Sequence, residues 1–236
     1  MERLWLAPTF TIVTFLVLGP LLAFTRLVDP MVGFSLVLLA VLVGVVFGIG
    51  LAGASAFATV TQKPWRPRAV RAAVVPLGVG LSALALATIS HVPPIHDVST
   101  DPGARLPFSP EVTAASLNQD AEGEERAQVE ALQKSGYPDI APVHLDLPPD
   151  QAFERAKAVA AHMPRWEVTH ADASSGRIEA IATSRLFHFV DDVVIRVQAD
   201  GSGSRVDLRS RSRAGPTDLG ANAAHIRAYA AELKKG

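Results

Sequence analysis

Phe187-His-Phe-Val-Asp-Asp192 opens a stretch that runs through Arg209-Ser-Arg-Ser-Arg213 to Asp218-Leu-Gly-Ala-Asn222. Its ten charged residues alternate with short apolar ones, which is the pattern of a β-hairpin with two unlike faces leading into a helix. Asp200-Gly201 is the two-residue signal of a type I′ turn. With those residues at the turn, Val197 is expected opposite Ser204, Ile195 opposite Val206, Val193 opposite Leu208, and Asp191 opposite Ser210. The other face then pairs Arg196 with Arg205, Val194 with Asp207, Asp192 with Arg209, Val190 with Arg211, and His188 with Arg213. A slip of one residue would mix the faces, so the pattern supports this register. Asp192 and Arg209 become a cross-strand ion pair worth roughly 0.2–1 kcal/mol. The odd-numbered residues from Arg205 to Arg213 form a stripe of four arginines and Asp207. Asp191 falls on the apolar face, where an ionised carboxylate needs partners, and Ser210 with the donors of the following loop are the candidates.

Upstream of the hairpin, a helix over 150–162 places Phe153, Ala156, Val159, Ala160 and Met163 on one side, at helical spacing. Strands are expected over 166–170 and 177–185. In the second, Ile178, Ala180 and Ala182 share one face and Glu179 takes the other. Downstream, a last helix over about 217–234 starts with Thr217 as N-cap and buries Leu219, Ala223, Ile226, Ala230 and Leu233, with Asp218, Asn222, His225 and Tyr229 on a neighbouring polar face. The fold class is α+β: a four-stranded antiparallel sheet with helices on its apolar side. The face with Glu179, Asp192, Arg196 and the arginine stripe is exposed or covered by the chain that precedes it.

That preceding chain is unlike the rest. The protein has 236 residues and no cysteine, and its mean hydropathy is +0.25. The apolar character is local: residues 4–25, 30–62 and 72–96 carry no Asp, Glu, Lys or Arg. Each run reaches the roughly 20 residues that cross a bilayer. Three transmembrane helices are predicted, near 4–25, 32–57 and 71–91, so the domains read as 1–91 (membrane), 92–149 (a Pro-rich and acidic exit segment with a short helix near 123–134) and 150–236 (the α+β domain). Lys63, Arg66, Arg68 and Arg71 crowd the second loop, against Arg26 and Asp29 in the first. The positive-inside rule puts the second loop and the N-terminus in the cytoplasm. The α+β domain is then outside, in the periplasm of a bacterial inner-membrane protein. Ala40, Gly44, Gly48, Ala52 and Ala56 recur every four residues, a small-residue stripe suited to close packing on another helix of the chain or on a second copy. No charge lies mid-membrane, which disfavours an ion pathway.

Charge excludes a broad nucleic-acid surface. Residues 92–192 carry eight basic and seventeen acidic residues, and 193–236 carry eight and four. Positive charge is therefore confined to the hairpin and the last helix. Five prolines between 93 and 110 forbid a helix there, so the exit segment is expected to lie extended on the domain, with Asp97 and Asp101 within reach of the hairpin's arginines.

Taken together, Ile95-His-Asp-Val-Ser-Thr-Asp-Pro102, Ile178-Glu-Ala180, Asp191-Asp192, Arg209-Ser-Arg-Ser-Arg-Ala-Gly215 and Asp218-Leu-Gly-Ala-Asn222 resemble the signature of the DUF1499 family. The resemblance covers about 92–235. It implies a domain boundary near 92, often behind membrane segments, in a family of unknown function from bacteria and photosynthetic eukaryotes. His96 stands where the family pattern leads to Asn, and His225 where it leads to Arg.

The residues bear on three kinds of role: a binding module, an enzyme and an interaction subunit. Arg209, Arg211 and Arg213 alternate onto one face ahead of the last helix, and with Asn222 they form a candidate anion site. Alternatively they close a polar network with His96, Asp97, Asp101, Glu179, Asp191, Asp192, Arg196, Ser210 and Asp218. An enzyme would draw on Asp191 with Ser210, or His96 with Asp97, but no nucleophile elbow, metalloprotease helix or phosphate loop is present. No cofactor or metal is expected. The reading is a membrane-anchored periplasmic binding or accessory module that meets membrane lipid. The alternatives are an accessory subunit docked on another membrane protein and, behind it, a hydrolase-type enzyme using Asp191 with Ser210 or His96 with Asp97.

Overall fold

The structure is a computed structural model that describes residues 2–89, 92–104, 106–120 and 123–235. The chain divides into two compact units, Met1–His91 with Leu186–His188, and Val92–Arg185 with Phe189–Gly236.

The first unit is built from α1 (Glu2–Phe24), α2 (Pro30–Val60) and α3 (Arg66–Ile89). All three are long and apolar enough to cross a membrane, as three spans were expected to be; the anticipated end of the third at 90 and 91 lies outside the described residues. Asp29 starts α2 by accepting from Met31 N at 2.8 Å, with Pro30 in the first turn, where its missing N–H costs nothing. The small-residue stripe packs inside the chain: Ala40, Gly44 and Gly48 are buried. A Cβ on Gly48 would stand 3.1 Å from the backbone of Pro76 and Leu77 in α3. Further along, Ala52 is half-buried and Ala56 exposed. The α1–α2 contact uses glycines outside the stripe, since a Cβ on Gly19 would lie 2.5 Å from Gly33 O.

The second unit is α+β. Its elements are β1 (Asp97–Ser99), α4 (Pro110–Ala114), α5 (Gly123–Gly136), β2 (Val143–Leu145), α6 (Pro149–His162), β3 (Trp166–Asp172), β4 (Arg177–Thr183), β5 (Val190–Asp200), β6 (Gly203–Ser212) and α7 (Ala221–Lys235). The sheet is antiparallel and six-stranded rather than four-stranded, in the order β1-β6-β5-β4-β3 with β2 also on β6. The two extra strands are three residues each, too short to show a period. β1 pairs with Arg209–Arg211 and β2 with Ser204–Val206, so together they cover an edge of β6 that would otherwise present open N–H and C=O groups. The outer edge of β1 is closed by a side chain: the Gln133 amide accepts from Ser99 N at 3.0 Å and donates to Ser99 O at 2.6 Å.

The hairpin register differs from the expected one by two residues. Val193 faces Ser210, Ile195 faces Leu208, Arg196 faces Asp207, and Asp200 faces Gly203. The turn is therefore centred on Gly201-Ser202, with Gly201 at φ +59°, the left-handed conformation a two-residue turn demands at its first central position. An even slip leaves every side chain on its predicted face. It does replace the partners: Asp192 faces Arg211 and Asp191 faces Ser212. His188 never enters the hairpin, because β5 starts at Val190 and His188 has φ +58°. Gly203 has a separate role. A Cβ there would lie 2.3 Å from Leu145 O, so Gly203→Ala is expected to push β2 off β6 and lower stability by upward of about 1 kcal/mol. A melting curve indistinguishable from the parent's would contradict this.

Even-numbered β4 positions, odd-numbered β5 positions and even-numbered β6 positions point to one core. Ile178, Ala180, Ala182, Val193, Ile195, Val197, Val206 and Leu208 pack there with Phe153, Ala156 and Ala160 of α6 and Ile226, Tyr229 and Leu233 of α7. Trp166 stacks on Tyr229 at 5.7 Å. α7 begins four residues after the expected start. Leu219 is in a turn at φ +53° and 67% exposed instead of buried. Asp218, not Thr217, holds the helix start, accepting from Asn222 N at 3.0 Å and Gly220 N at 2.7 Å. The opposite sheet face is roofed by residues 106–120, where Leu106, Phe108 and Val112 pack on Val194.

Candidate functional site

The sheet separates the predicted site residues into two sets. On the roofed face, Arg209 is 1% and Arg211 0% exposed. Arg209 forks onto Asp97 with Nε to Oδ1 at 3.0 Å and Nη2 to Oδ2 at 2.7 Å, and donates to Leu106 O at 2.6 Å. Asp120 accepts from Arg209 Nη2 at 2.5 Å and also from Arg211 Nη1. Both guanidinium carbons lie 4.5 Å from the centroid of the Phe108 ring, a cation–π arrangement strengthened by the exclusion of water. Burial opposes the charge on Arg209, but Asp97 and Asp120 outweigh it and hold its pKa above the ordinary arginine value.

Next to this centre, Asp192 takes Arg213 through Nε at 3.0 Å and Nη2 at 2.8 Å, not Arg209 as the expected register required. Asp207 accepts from Arg196 at 3.0 Å and from Arg205 at 2.8 Å, and Arg205 reaches Asp101 at 2.7 Å. Glu179 accepts from Ser109 N at 3.0 Å and from Arg177. Its burial would raise its pKa, but those donors bring it below the ordinary value. An open cleft of about 570 Å³ runs along this end of the face, lined by Ser109, Glu111, Val112, Thr169, His170, Arg177, Glu179, Ile181 and Arg213. The register shifts between Val168 and His170 in β3, a bulge of the kind that re-aims side chains, and both Thr169 and His170 border the cleft.

On the core face a chain of hydroxyl and amide groups leads to a buried carboxylate. Ser210 Oγ donates to Asn222 Oδ1 at 2.6 Å, Asn222 Nδ2 to Ser212 Oγ at 3.1 Å, and Ser212 Oγ to Asp191 Oδ1 at 2.5 Å. Ser212, rather than Ser210, is thus the partner of Asp191. His96 contributes its carbonyl, which accepts from Asn222 Nδ2 at 2.9 Å. His225 Nδ1 stands 3.6 Å from Asp191 Oδ2. Burial pushes the Asp191 carboxyl up to about 6 and lowers the pKa of His225. Asn222 and the arginines therefore stand on opposite sides of the sheet.

A family model described as protein of unknown function (DUF1499) matches residues 97–233. The chain belongs to the DUF1499 family. The match takes in β1 through most of α7, and with them both polar sets of this DUF1499 domain. No curated protein matches the chain. Two residues central to the arginine face, Phe108 and Asp120, escaped the reading of the sequence. Asp120 sits in an acidic stretch that looks like any solvated surface, and nothing local tells that it folds over β6.

Proposed function

We propose that this DUF1499 protein is a membrane-anchored binding module, with its α+β domain on the periplasmic side of a bacterial inner membrane. Three apolar helices support the anchor. Lys63 in the α2–α3 connection and Arg66, Arg68 and Arg71 in the first turns of α3 support the orientation.

The observation that carries the binding reading is the complete burial of Arg209 and Arg211 beneath a strap of chain. An apolar face of equal volume would hold that strap at least as well, because desolvating charges offsets most of their attraction. Guanidinium groups kept in such a place are best explained by what they bind. Arginine suits this use, since its planar fork matches the oxygens of carboxylate and phosphate groups.

The test is untargeted mass spectrometry of full-length protein purified in mild detergent. An anionic small molecule or lipid enriched over the membrane extract is expected. A protein that carries lipid only in the extract's proportions, and nothing else, contradicts the reading. Orientation has its own measurement: alkaline phosphatase fused after Gly236 is expected to be active in intact cells, and a fluorescent protein that matures only in the cytoplasm to be dark. The reverse pattern would place the domain inside.

A further inference from the structure

Arg211 is fully buried, yet two of its three guanidinium nitrogens, Nε and Nη2, have no hydrogen-bond partner among the described residues. Its remaining nitrogen, Nη1, donates to Asp120 Oδ1. A buried ionised group left this incomplete is costly. The neighbouring Arg209, equally buried, engages all three of its nitrogens. The difference is therefore local to one guanidinium and is not a general looseness of the face.

Asp120 is the group that joins the two arginines, and its side chain is 45% exposed, against 1% and 0% for theirs. It belongs to the strap rather than to the sheet, in a segment without regular structure. With Asp120 in place, the ion pairs of Arg209 and Arg211 among the described residues run to two carboxylates, those of Asp97 and Asp120. With Asp120 swung outward only the Asp97 ion pair remains to them, and the two guanidinium groups beside Phe108 carry an excess positive charge. Only an anion restores the balance. A carboxylate has two oxygens to offer, which Asp120 already spends on both arginines. A tetrahedral phosphoryl group has three, enough to repeat those contacts and also reach the incomplete edge of Arg211.

The geometry points to a phosphoryl-binding site formed by Arg209 and Arg211, in which Asp120 stands in for the ligand's oxygens and is displaced by it. This rests on the binding-module reading and names the chemistry of its ligand. The phosphoryl group belongs either to a soluble phosphate compound or to a lipid headgroup.

The experiment uses full-length protein in detergent and in phosphate-free buffer. Asp120→Ala removes the stand-in from an exposed position, so the variant is expected to fold with a lowered Tm. Inorganic phosphate is expected to restore that loss, raising Tm by about 5–10 °C at one hundred times its Kd, and to bind the variant at least about tenfold more tightly than the parent. Asp120→Ala/Arg211→Lys, which keeps the charge but loses the fork, is expected to lose the response. Nanodiscs of phosphatidic acid against phosphatidylcholine form the second arm: restoration by the former and not by free phosphate assigns the site to a lipid headgroup. If neither phosphate nor phosphatidic acid restores Asp120→Ala, or if the Arg211→Lys double variant responds equally, the site does not exist as described. That failure leaves the broader binding reading to what copurifies with the parent protein.

Discussion

Arg209→Ala is expected to lower the stability of the α+β domain by about 3–5 kcal/mol, a fall in Tm of roughly 6–20 °C for a domain of this size. The loss comes from what stays behind. Asp97, 5% exposed, loses the fork that donates to both its oxygens, and the Leu106 carbonyl loses the donor that holds the strap over the sheet. Arg209→Lys is expected to recover only part of the loss, because one ammonium cannot serve Asp97, Leu106 and Asp120 from the positions of a planar fork. Melting of the full-length protein, followed by near-ultraviolet circular dichroism and by protease cleavage within 100–120, measures both effects. If Arg209→Ala melts with the parent, the buried ion network is not what fastens the strap.

Asp191→Asn is expected to do the opposite at neutral pH. The Asp191 carboxyl, 4% exposed, titrates at about 6 because burial disfavours its charge. In the unfolded chain it titrates near 4. Between those values the folded protein holds a proton that the unfolded chain has released, so this group's contribution to stability is full below about 4 and is lost as pH rises through about 6. The gap corresponds to roughly 3 kcal/mol. Asparagine does not ionise, its amide oxygen can accept from Ser212, and its amide nitrogen lies within reach of the His225 ring. The variant is therefore expected to be more stable than the parent at pH 7.5 by about 3 kcal/mol and to show no advantage at pH 4.

His225 works in the other direction. Its lowered pKa gives a contribution present above the unfolded histidine value and lost as pH falls through the folded one. Asp218 and Arg165 act on it, while Asp218 and Asp192 act on Asp191. Comparing the two proteins at each pH isolates Asp191 from that background. A variant less stable than the parent at pH 7.5 would show that the ionised carboxylate is held by stronger partners than Ser212.

What could be read before the fold was known followed from periodicity and length. Runs without charge, long enough to span a bilayer, marked α1 to α3. Spacing of Phe153, Ala156 and Ala160 marked α6. Period-two alternation assigned Leu208 to the core and Arg209 to the other face, and both are there. The two short strands on β6 gave no such signal, since three residues hold no period.

The sequence by itself determined which side chains share a face, because alternation along a strand depends only on neighbouring residues. It could not determine who meets whom across the sheet, since a slip of two residues keeps every face and changes every partner. That choice came from the bend at Gly201-Ser202. The partners of Arg209 came from farther still: Asp97, 112 positions away, is placed by the pairing of β1 with β6, and Asp120, 89 away, by a strap whose apolar residues find Val194. Tertiary structure alone turned a row of arginines into a closed ionic layer with one guanidinium left incomplete.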